Sequence, residues 1–300
     1  MDKKKLWSVG KLLLKIIVTC LSLYFVFKKV DIKDVQEAFT RSNPTYLLTA
    51  FLFFVLSQVV SASRLNSFFK GINLNISELY NAKIYLLGMF YNLFLPGGIG
   101  GDGYKIFLLR KKFDIKGRKL FQAIFFDRLS GLWALTLILS ALVIFIPKFE
   151  IPQWLPILIV VMGSATYYFV MKKFFSEFST NFFITHFKAI LVQSLQVICV
   201  IFLLYALHFN GKFSPYLLMF LLSSLVAIFP FTMGGLGARE VVFLYGAEHF
   251  NMDPHIAVLI SLLFYCTSAI LSFTGLYFVM NSSKLKEVGD LDEDLKVKVA

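Results

Sequence analysis

Long apolar runs dominate this sequence, and they decide the solvent in which the chain can fold. A helix needs about 20 mostly apolar residues to cross the hydrocarbon layer of a bilayer. Charged residues make up only 16% of the chain, against about a quarter in soluble domains. The pattern therefore predicts an all-α polytopic membrane protein with about six transmembrane helices, at residues 12–27, 46–62, 120–146, 154–171, 189–207 and 255–280.

Basic residues outnumber acidic ones, giving a formal net charge of +12, and this excess has two interpretations. A nucleic-acid-binding protein concentrates its cations on one face, whereas a membrane protein places them in its cytoplasmic loops. Here the cations lie in short clusters between apolar runs, so we expect no nucleic acid as a partner. Seven cations against one acid in residues 105–119 predict a cytoplasmic loop in a multi-pass protein of the cell membrane, with both termini cytoplasmic. Four cations oppose this orientation, which places them outside: Lys28, Lys29, Lys33 and Arg41.

The composition changes near residue 281. Residues 1–280 hold the apolar runs and are predicted to form one membrane domain. Residues 281–300 mix lysines with five acids and are predicted to be a disordered cytoplasmic tail. Residues 98–103 match G-x-G-x-x-G, but a dinucleotide site needs a preceding strand, and here the flanks are apolar helices. The sequence shows neither the spacing of metal ligands nor a nucleophile motif. We therefore predict no cofactor and no catalytic site.

Two shorter apolar runs, 80–95 and 216–229, each end at a proline and a glycine cluster. A short, more polar helical piece follows each of them, at 104–111 and 238–250. Both interruptions fit P-x-x-x-G-G-x-G-x-[KR], and the copies lie 134 positions apart. Runs this short, broken by proline and glycine, predict two re-entrant hairpins. The predicted turn residues are Pro96, Gly97, Gly98, Gly100, Gly101 and Gly103 in the first copy and Pro230, Gly234, Gly235 and Gly237 in the second.

The predicted orientation makes the two hairpins enter the membrane from opposite faces, which is typical of an inverted repeat with a transport site. Lys105 and Arg239 are predicted in the first turn of the restarting helices. The helix dipole disfavours a cation there, so we expect a compensating anion, such as a ligand phosphate or carboxylate. Alternatively, Asp102, Asp127 or Glu240 neutralises these cations, and the motif is architectural.

Asp127 and Arg128 lie inside the apolar run 120–146. Charged residues within a span are rare and point to function. The alternative is that Arg128 extends to the lipid headgroups with Asp127 as its local partner. Arg64, at the end of the second run, is interpreted as an interfacial anchor.

Three segments in this order, 92–102, 127–132 and 230–240, resemble the lysylphosphatidylglycerol synthase transmembrane-region family, also called flippase-like or UPF0104 proteins. The resemblance implies a polytopic fold with two re-entrant hairpins. It also implies that the glycine turns, the pair Asp127 and Arg128, and the charged end at Arg239 and Glu240 correspond to family features. In the bifunctional relatives the membrane part flips aminoacylated phosphatidylglycerol, and a separate cytosolic domain performs the aminoacyl transfer. This chain ends at Ala300, so aminoacyl transfer is not expected.

The function predicted from these features is translocation of an anionic or zwitterionic phospholipid or a polyprenyl-linked lipid through a cavity lined by the hairpins. Two alternatives stay open: a membrane-embedded lipid-modifying enzyme, and a structural or regulatory partner without cargo. The expected partners are membrane lipid and a separately encoded lipid-synthesising enzyme. The residues predicted to bind substrate are Asn92, Asp102, Lys105, Asp127, Arg128, Arg239 and Glu240.

Overall fold

A computed structural model of the chain describes residues 32–94, 100–144, 152–228 and 235–281, together with residues 17, 20, 24, 232 and 285. All regular secondary structure in these residues is helical. The twelve helices among them are α1 (Ile32–Thr40), α2 (Pro44–Gly71), α3 (Glu78–Phe94), α4 (Gly100–Phe113), α5 (Gly117–Ile144), α6 (Trp154–Phe174), α7 (Ser176–Ser179), α8 (Phe182–Ala206), α9 (Phe213–Val226), α10 (Ala238–Phe250), α11 (Pro254–Phe273) and α12 (Leu276–Met280).

Five segments of the described chain are long and apolar enough to cross a membrane: α2, α5, α6, α8 and Pro254–Met280, which combines α11 and α12. They confirm the predicted all-α, multi-pass membrane fold. The sixth predicted span, 12–27, lies outside the described residues except at positions 17, 20 and 24, and the predicted tail does so except at 281 and 285.

Helix α6 illustrates why the fold needs an apolar solvent. Its large side chains are exposed along most of the helix, including Leu158, Met162 and Phe169. A helix that is apolar on every side is stable only inside a large core or in lipid. Because α6 is not buried inside the protein, lipid is the solvent that fits it.

The helices that flank the two glycine motifs are shorter than a membrane span. α3 has 17 residues, α4 has 14, α9 has 14 and α10 has 13, against about 20 for a crossing. These lengths agree with the predicted hairpins. Their entry from opposite faces, and hence the inverted repeat, stays a prediction.

The chain divides into two compact units. The first unit comprises the described residues within Met1–Phe54, Asn92–Ile99 and Leu195–Ala269, and the second unit comprises those within Val55–Tyr91, Gly100–Ser194 and Ile270–Ala300. In the first unit, α9 and α10 pack against each other. Phe220 of α9 contacts Phe264 of α11, with ring centroids 4.7 Å apart.

The second unit has an aromatic-rich core. Phe68 and Phe69 of α2, Tyr80 of α3, Leu109 of α4 and Leu120 of α5 are buried together. Because these residues come from four helices, the core fixes α2, α3, α4 and α5 against one another. Three of these helices, α2, α4 and α5, carry the five charged residues described first below.

Two helix ends differ from the sequence-based expectation. α2 continues to Gly71, well beyond the predicted end at residue 62. The added turns carry polar side chains that find partners inside the protein. For example, the Asn66 amide donates to the carbonyl of Ile76 at 3.2 Å. α4 begins at Gly100, where the motif predicted a helix only from 104. Asp102 falls in its first turn, where the helix dipole favours an acid.

Candidate functional site

Five charged residues from three helices of the second unit form ion pairs, and four of the five are buried. Arg64 of α2, Asp102 and Lys105 of α4, and Asp127 of α5 are buried. The fifth, Arg128 of α5, keeps 44% of its side chain exposed. We call these five residues the charge cluster. Burying such groups in a membrane protein is costly, so their arrangement requires an explanation.

Arg64 and Asp127 form a two-pronged ion pair. Nε of Arg64 donates to Oδ1 of Asp127 at 2.7 Å, and Nη2 donates to Oδ2 at 3.3 Å. Nη2 also lies 3.4 Å from the hydroxyl of Ser61. The remaining nitrogen of Arg64, Nη1, is buried and has no hydrogen-bond partner among the described residues. The guanidinium therefore retains a donor for a further acceptor.

Asp102 bridges the other two cations. Its Oδ1 accepts from Nζ of Lys105 at 2.9 Å, and its Oδ2 accepts from the guanidinium of Arg128. Lys105 also lies over the ring of Tyr85, with Nζ 5.0 Å from the centroid. The charge cluster contains three cations and two carboxylates, so its formal charge is +1.

Close packing of α3 against α4 positions Lys105. A Cβ on Gly101 would lie 1.9 Å from the carbonyl oxygen of Gly88, and a Cβ on Gly88 would lie 2.4 Å from Cε of Lys105. The ring centroids of Tyr91 and Tyr104 are 4.5 Å apart across the same contact. A side chain at Gly101 would therefore push the two helices apart, whereas one at Gly88 would displace the end of the Lys105 side chain.

Three further polar groups near Arg64 have a buried atom without a hydrogen-bond partner in the described part of the chain. They are the hydroxyl of Tyr167, Nε2 of His186 and Oε1 of Gln193. Tyr167 and His186 both interact electrostatically with Arg64. Nδ1 of His186 lies 2.7 Å from the carbonyl oxygen of Phe182 and so carries the proton of the neutral ring. Nε2 is then an acceptor, and this region can bind groups that both donate and accept.

The first unit holds the second glycine motif. Gly235 and Gly237 have φ values of +87° and +85°, which residues with a side chain rarely adopt. Immediately after this turn, α10 begins at Ala238. The turn therefore depends on glycine at these two positions.

Glu240 and Arg239 have different partners at the start of α10. The carboxylate of Glu240 accepts from the backbone N–H of Gly237 at 2.6 Å and from the hydroxyl of Ser261 at 2.8 Å. Arg239 donates to the hydroxyl of Ser224 at 3.2 Å and lies over the ring of Phe264. Among the described residues, Arg239 has no carboxylate within ion-pairing distance. Glu240 thus caps the helix, while Arg239 keeps its charge.

Several predicted site residues take roles that differ from the expectation. Arg64 is not an interfacial anchor, since it is buried and paired with Asp127. Arg128 pairs with Asp102, and Asp102 also pairs with Lys105, which is the contact that the architectural alternative predicted for Lys105. Lys105 lies in the second turn of α4, because the helix begins earlier than predicted.

The predicted turn residues divide into three groups. Gly100, Gly101 and Gly103 belong to the start of α4, which corrects their assignment to the turn. Gly235 and Gly237 lie in a turn. The third group lies outside the described part of the chain: Pro96, Gly97, Gly98, Pro230 and Gly234.

Asn92 was predicted to bind substrate and not to form a turn. It is half-buried in the last turn of α3.

Sequence reasoning did not identify Gly88, Tyr167 or His186. Gly88 carries one usable signal, a lone glycine in an apolar helix, because small residues mark close helix contacts in membranes. Tyr167 and His186 carry none, since their importance comes from facing Arg64 across the fold.

Comparison with known proteins adds independent information. The family described as Lysylphosphatidylglycerol synthase TM region matches residues 12–172 and 173–275. A phosphatidylglycerol lysyltransferase of Staphylococcus haemolyticus is 25% identical over 253 residues, which cover 81% of this chain and 30% of that protein. A UPF0104 membrane protein of Pyrococcus horikoshii is 32% identical over 92 residues, which cover 30% of this chain and 27% of that protein. In each comparison the matched segment covers less than a third of the relative's length.

Proposed function

The chain belongs to the lysylphosphatidylglycerol synthase transmembrane-region family, and from this premise we propose that it moves an anionic or zwitterionic lipid across the bilayer. The cargo class is a phospholipid or a polyprenyl-linked lipid. The name of the staphylococcal relative, a phosphatidylglycerol lysyltransferase, supports an acidic phospholipid as the first candidate. The charge cluster is the observation that carries the proposal.

The composition of the charge cluster favours an anionic ligand. A purely structural network of buried charges is most stable when the charges balance, but here Lys105 and Arg128 share one carboxylate, that of Asp102. A phosphate would supply the missing negative charge there. Arg128 is the exposed member of the charge cluster, so it is the residue that a headgroup would contact first.

Arg239 supports the same ligand chemistry in the first unit. Its guanidinium is held by a hydroxyl and an aromatic ring, both of which leave its charge available. The neighbouring carboxylate of Glu240 is occupied by Gly237 and Ser261. A headgroup phosphate would therefore meet a cation that is already oriented.

A headgroup-transfer measurement tests the proposal. The purified full chain is reconstituted in liposomes with headgroup-labelled phosphatidylglycerol, and transfer between leaflets is followed by the accessibility of the label. We expect transfer by the wild type, and at least a several-fold lower rate for Arg128→Gln. Arg110→Gln, an exposed cation of α4, is the matched control and should transfer at the wild-type rate. Equal rates for liposomes with and without protein would contradict translocation.

Lipid composition separates translocation from lipid modification. Mass spectrometry of lipids from cells with and without the protein should show the same species, with only the distribution between leaflets changed. A lipid species that depends on the protein would instead indicate a membrane-embedded enzyme.

A further inference from the structure

Lys188, a cation outside the charge cluster, lies at an apolar groove on the second unit. The groove has a volume of about 560 Å³ and runs between α2 and α8. Its walls are apolar side chains, many of them exposed: Val59, Val60, Phe183, Ile184, Phe187 and Leu191. Lys188 and Ser63 are its polar lining residues.

Neutral oxygens hold the Lys188 ammonium. Nζ donates to the hydroxyl and the carbonyl of Ser63 at 2.9 and 3.2 Å, and to the hydroxyl of Ser67 at 3.0 Å. Within the described residues, no carboxylate lies within ion-pairing distance of this nitrogen. Glu78 acts on it only at longer range and has Lys70 as its own partner, at 3.7 Å. All three N–H groups of the ammonium are therefore engaged, but its charge is not neutralised. An anion would bind by replacing the longest of these bonds, the one to the Ser63 carbonyl at 3.2 Å.

Ser63 adds a hydrogen-bond donor beside this charge. Its hydroxyl oxygen accepts from Lys188, which polarises the O–H bond and makes it a stronger donor. The Ser67 hydroxyl, by contrast, already donates to the carbonyl of Ser63. The half-buried Ser63 hydroxyl and the ammonium together resemble a phosphate-binding pair.

The apolar walls lie on both sides of this polar pair, because Phe183, Ile184 and Phe187 precede Lys188 on α8 and Leu191 follows it. From Phe183 to Leu191 the wall follows α8 for about 12 Å, at 1.5 Å per residue. Phe183 and Phe187 are 80% and 68% exposed, so they face the apolar solvent directly. A groove with apolar walls, one cation and one hydroxyl has the polarity of a lipid site.

We propose that this groove binds one acyl chain of an anionic phospholipid, with its headgroup phosphate on the Lys188 ammonium and the Ser63 hydroxyl. Charge complementarity selects an anionic lipid, because a zwitterionic headgroup carries its own cation. The site differs from the charge cluster. Lys188 lines the groove, whereas His186, two residues earlier on α8, is buried and interacts with Arg64 of the charge cluster, and residues two apart on a helix do not share a face. Binding here does not depend on the proposed translocation.

Native mass spectrometry of the full chain in detergent tests the site, with phosphatidylglycerol and phosphatidylcholine as probes. We expect the wild type to retain phosphatidylglycerol in preference. In Lys188→Gln this retention should fall about tenfold, the loss typical of one charge-assisted hydrogen bond. Ser63→Ala should show a smaller fall.

Two further variants test whether lipid retention depends specifically on the groove and on Lys188. Lys173→Gln removes a cation at the end of α6 that stacks on Phe169 and Phe174 and should leave lipid retention unchanged. Val59→Trp fills the groove without changing charge and should also lower phosphatidylglycerol retention. Equal losses for Lys188→Gln and Lys173→Gln would overturn the proposal, as would wild-type retention in Val59→Trp.

Discussion

At the scale of single residues, the behaviour of this protein depends on which charges have partners. Arg64 and Asp127 pair with each other but leave Nη1 of Arg64 without a partner in the described part of the chain. Asp102 binds two cations, and Arg239 relies on neutral contacts. The same residue types thus play different roles. A charge with a dedicated partner contributes mainly to the fold, whereas a charge without one is available to a ligand.

Removing Asp127 should destabilise the fold. Asp127→Asn leaves the Arg64 guanidinium buried beside a neutral amide, and breaking a buried pair in this way costs about 3–5 kcal/mol. We expect a clearly lower temperature of aggregation in detergent, measured by fluorescence-detected size-exclusion chromatography. Asp114→Asn is the matched control, because Asp114 is exposed and has a positive φ that Asn tolerates. Equal temperatures of aggregation for Asp127→Asn and Asp114→Asn would contradict a structural role for the pair of Arg64 and Asp127.

Replacing Arg239 should impair transfer rather than folding. Arg239→Ala removes the cation at the start of α10, and we expect reduced headgroup transfer in proteoliposomes at an equal amount of folded protein. Ser224→Ala removes only the hydroxyl that orients Arg239 and should have a smaller effect. Unchanged transfer by Arg239→Ala would remove this residue from the mechanism.

At the scale of elements, the two glycine motifs use their glycines differently. In the second copy, Gly235 and Gly237 provide backbone angles that other residues rarely adopt. In the first copy, Gly101 lies within α4 and provides room for the carbonyl of Gly88. One sequence pattern therefore supports a turn in one unit and a helix contact in the other.

The helix contact can be tested with two neighbouring glycines. Gly101→Ala places a methyl group against the Gly88 backbone, and overpacking of this kind costs about 1–3 kcal/mol. Gly103→Ala meets no atom within 4 Å and gains helix propensity, worth up to about 1 kcal/mol. Thermal stability in detergent should fall for the first variant and hold or rise for the second. The reverse order would show that α3 and α4 do not pack closely.

At the scale of the whole molecule, the sequence predicted the spans far better than the site. A membrane span is encoded by about 20 consecutive apolar residues, so it can be recognised within one stretch of sequence. For this reason the sequence predicted α2, α5, α6, α8 and Pro254–Met280. The pairing of Arg64 with Asp127 was not, because it joins residues 63 positions apart. The end of α2 was missed for the same reason, since its polar side chains are satisfied by distant segments.

The predicted orientation is a property of the whole chain and has a direct test. Cys20, Cys199 and Cys266 are replaced by Ser, and single cysteines are introduced at the exposed positions Lys116 and Lys212. With an impermeant thiol reagent, the cysteine at 116 should react only from the cytoplasmic side. The cysteine at 212 should react only from the outside. Reaction of both from one side would exclude the predicted topology.

The bridging position of Asp102 has a consequence for the proposed passage of a negatively charged cargo. Because one carboxylate serves both Lys105 and Arg128, an arriving phosphate can take over Arg128 while Asp102 keeps Lys105. Each of the two cations then has an anionic partner at every stage, and Asp102 can pair with Arg128 again when the cargo leaves. The free-energy barrier to passage is then that of exchanging one anionic partner of Arg128 for another. This barrier is much smaller than that of leaving a cation in the membrane without any anionic partner.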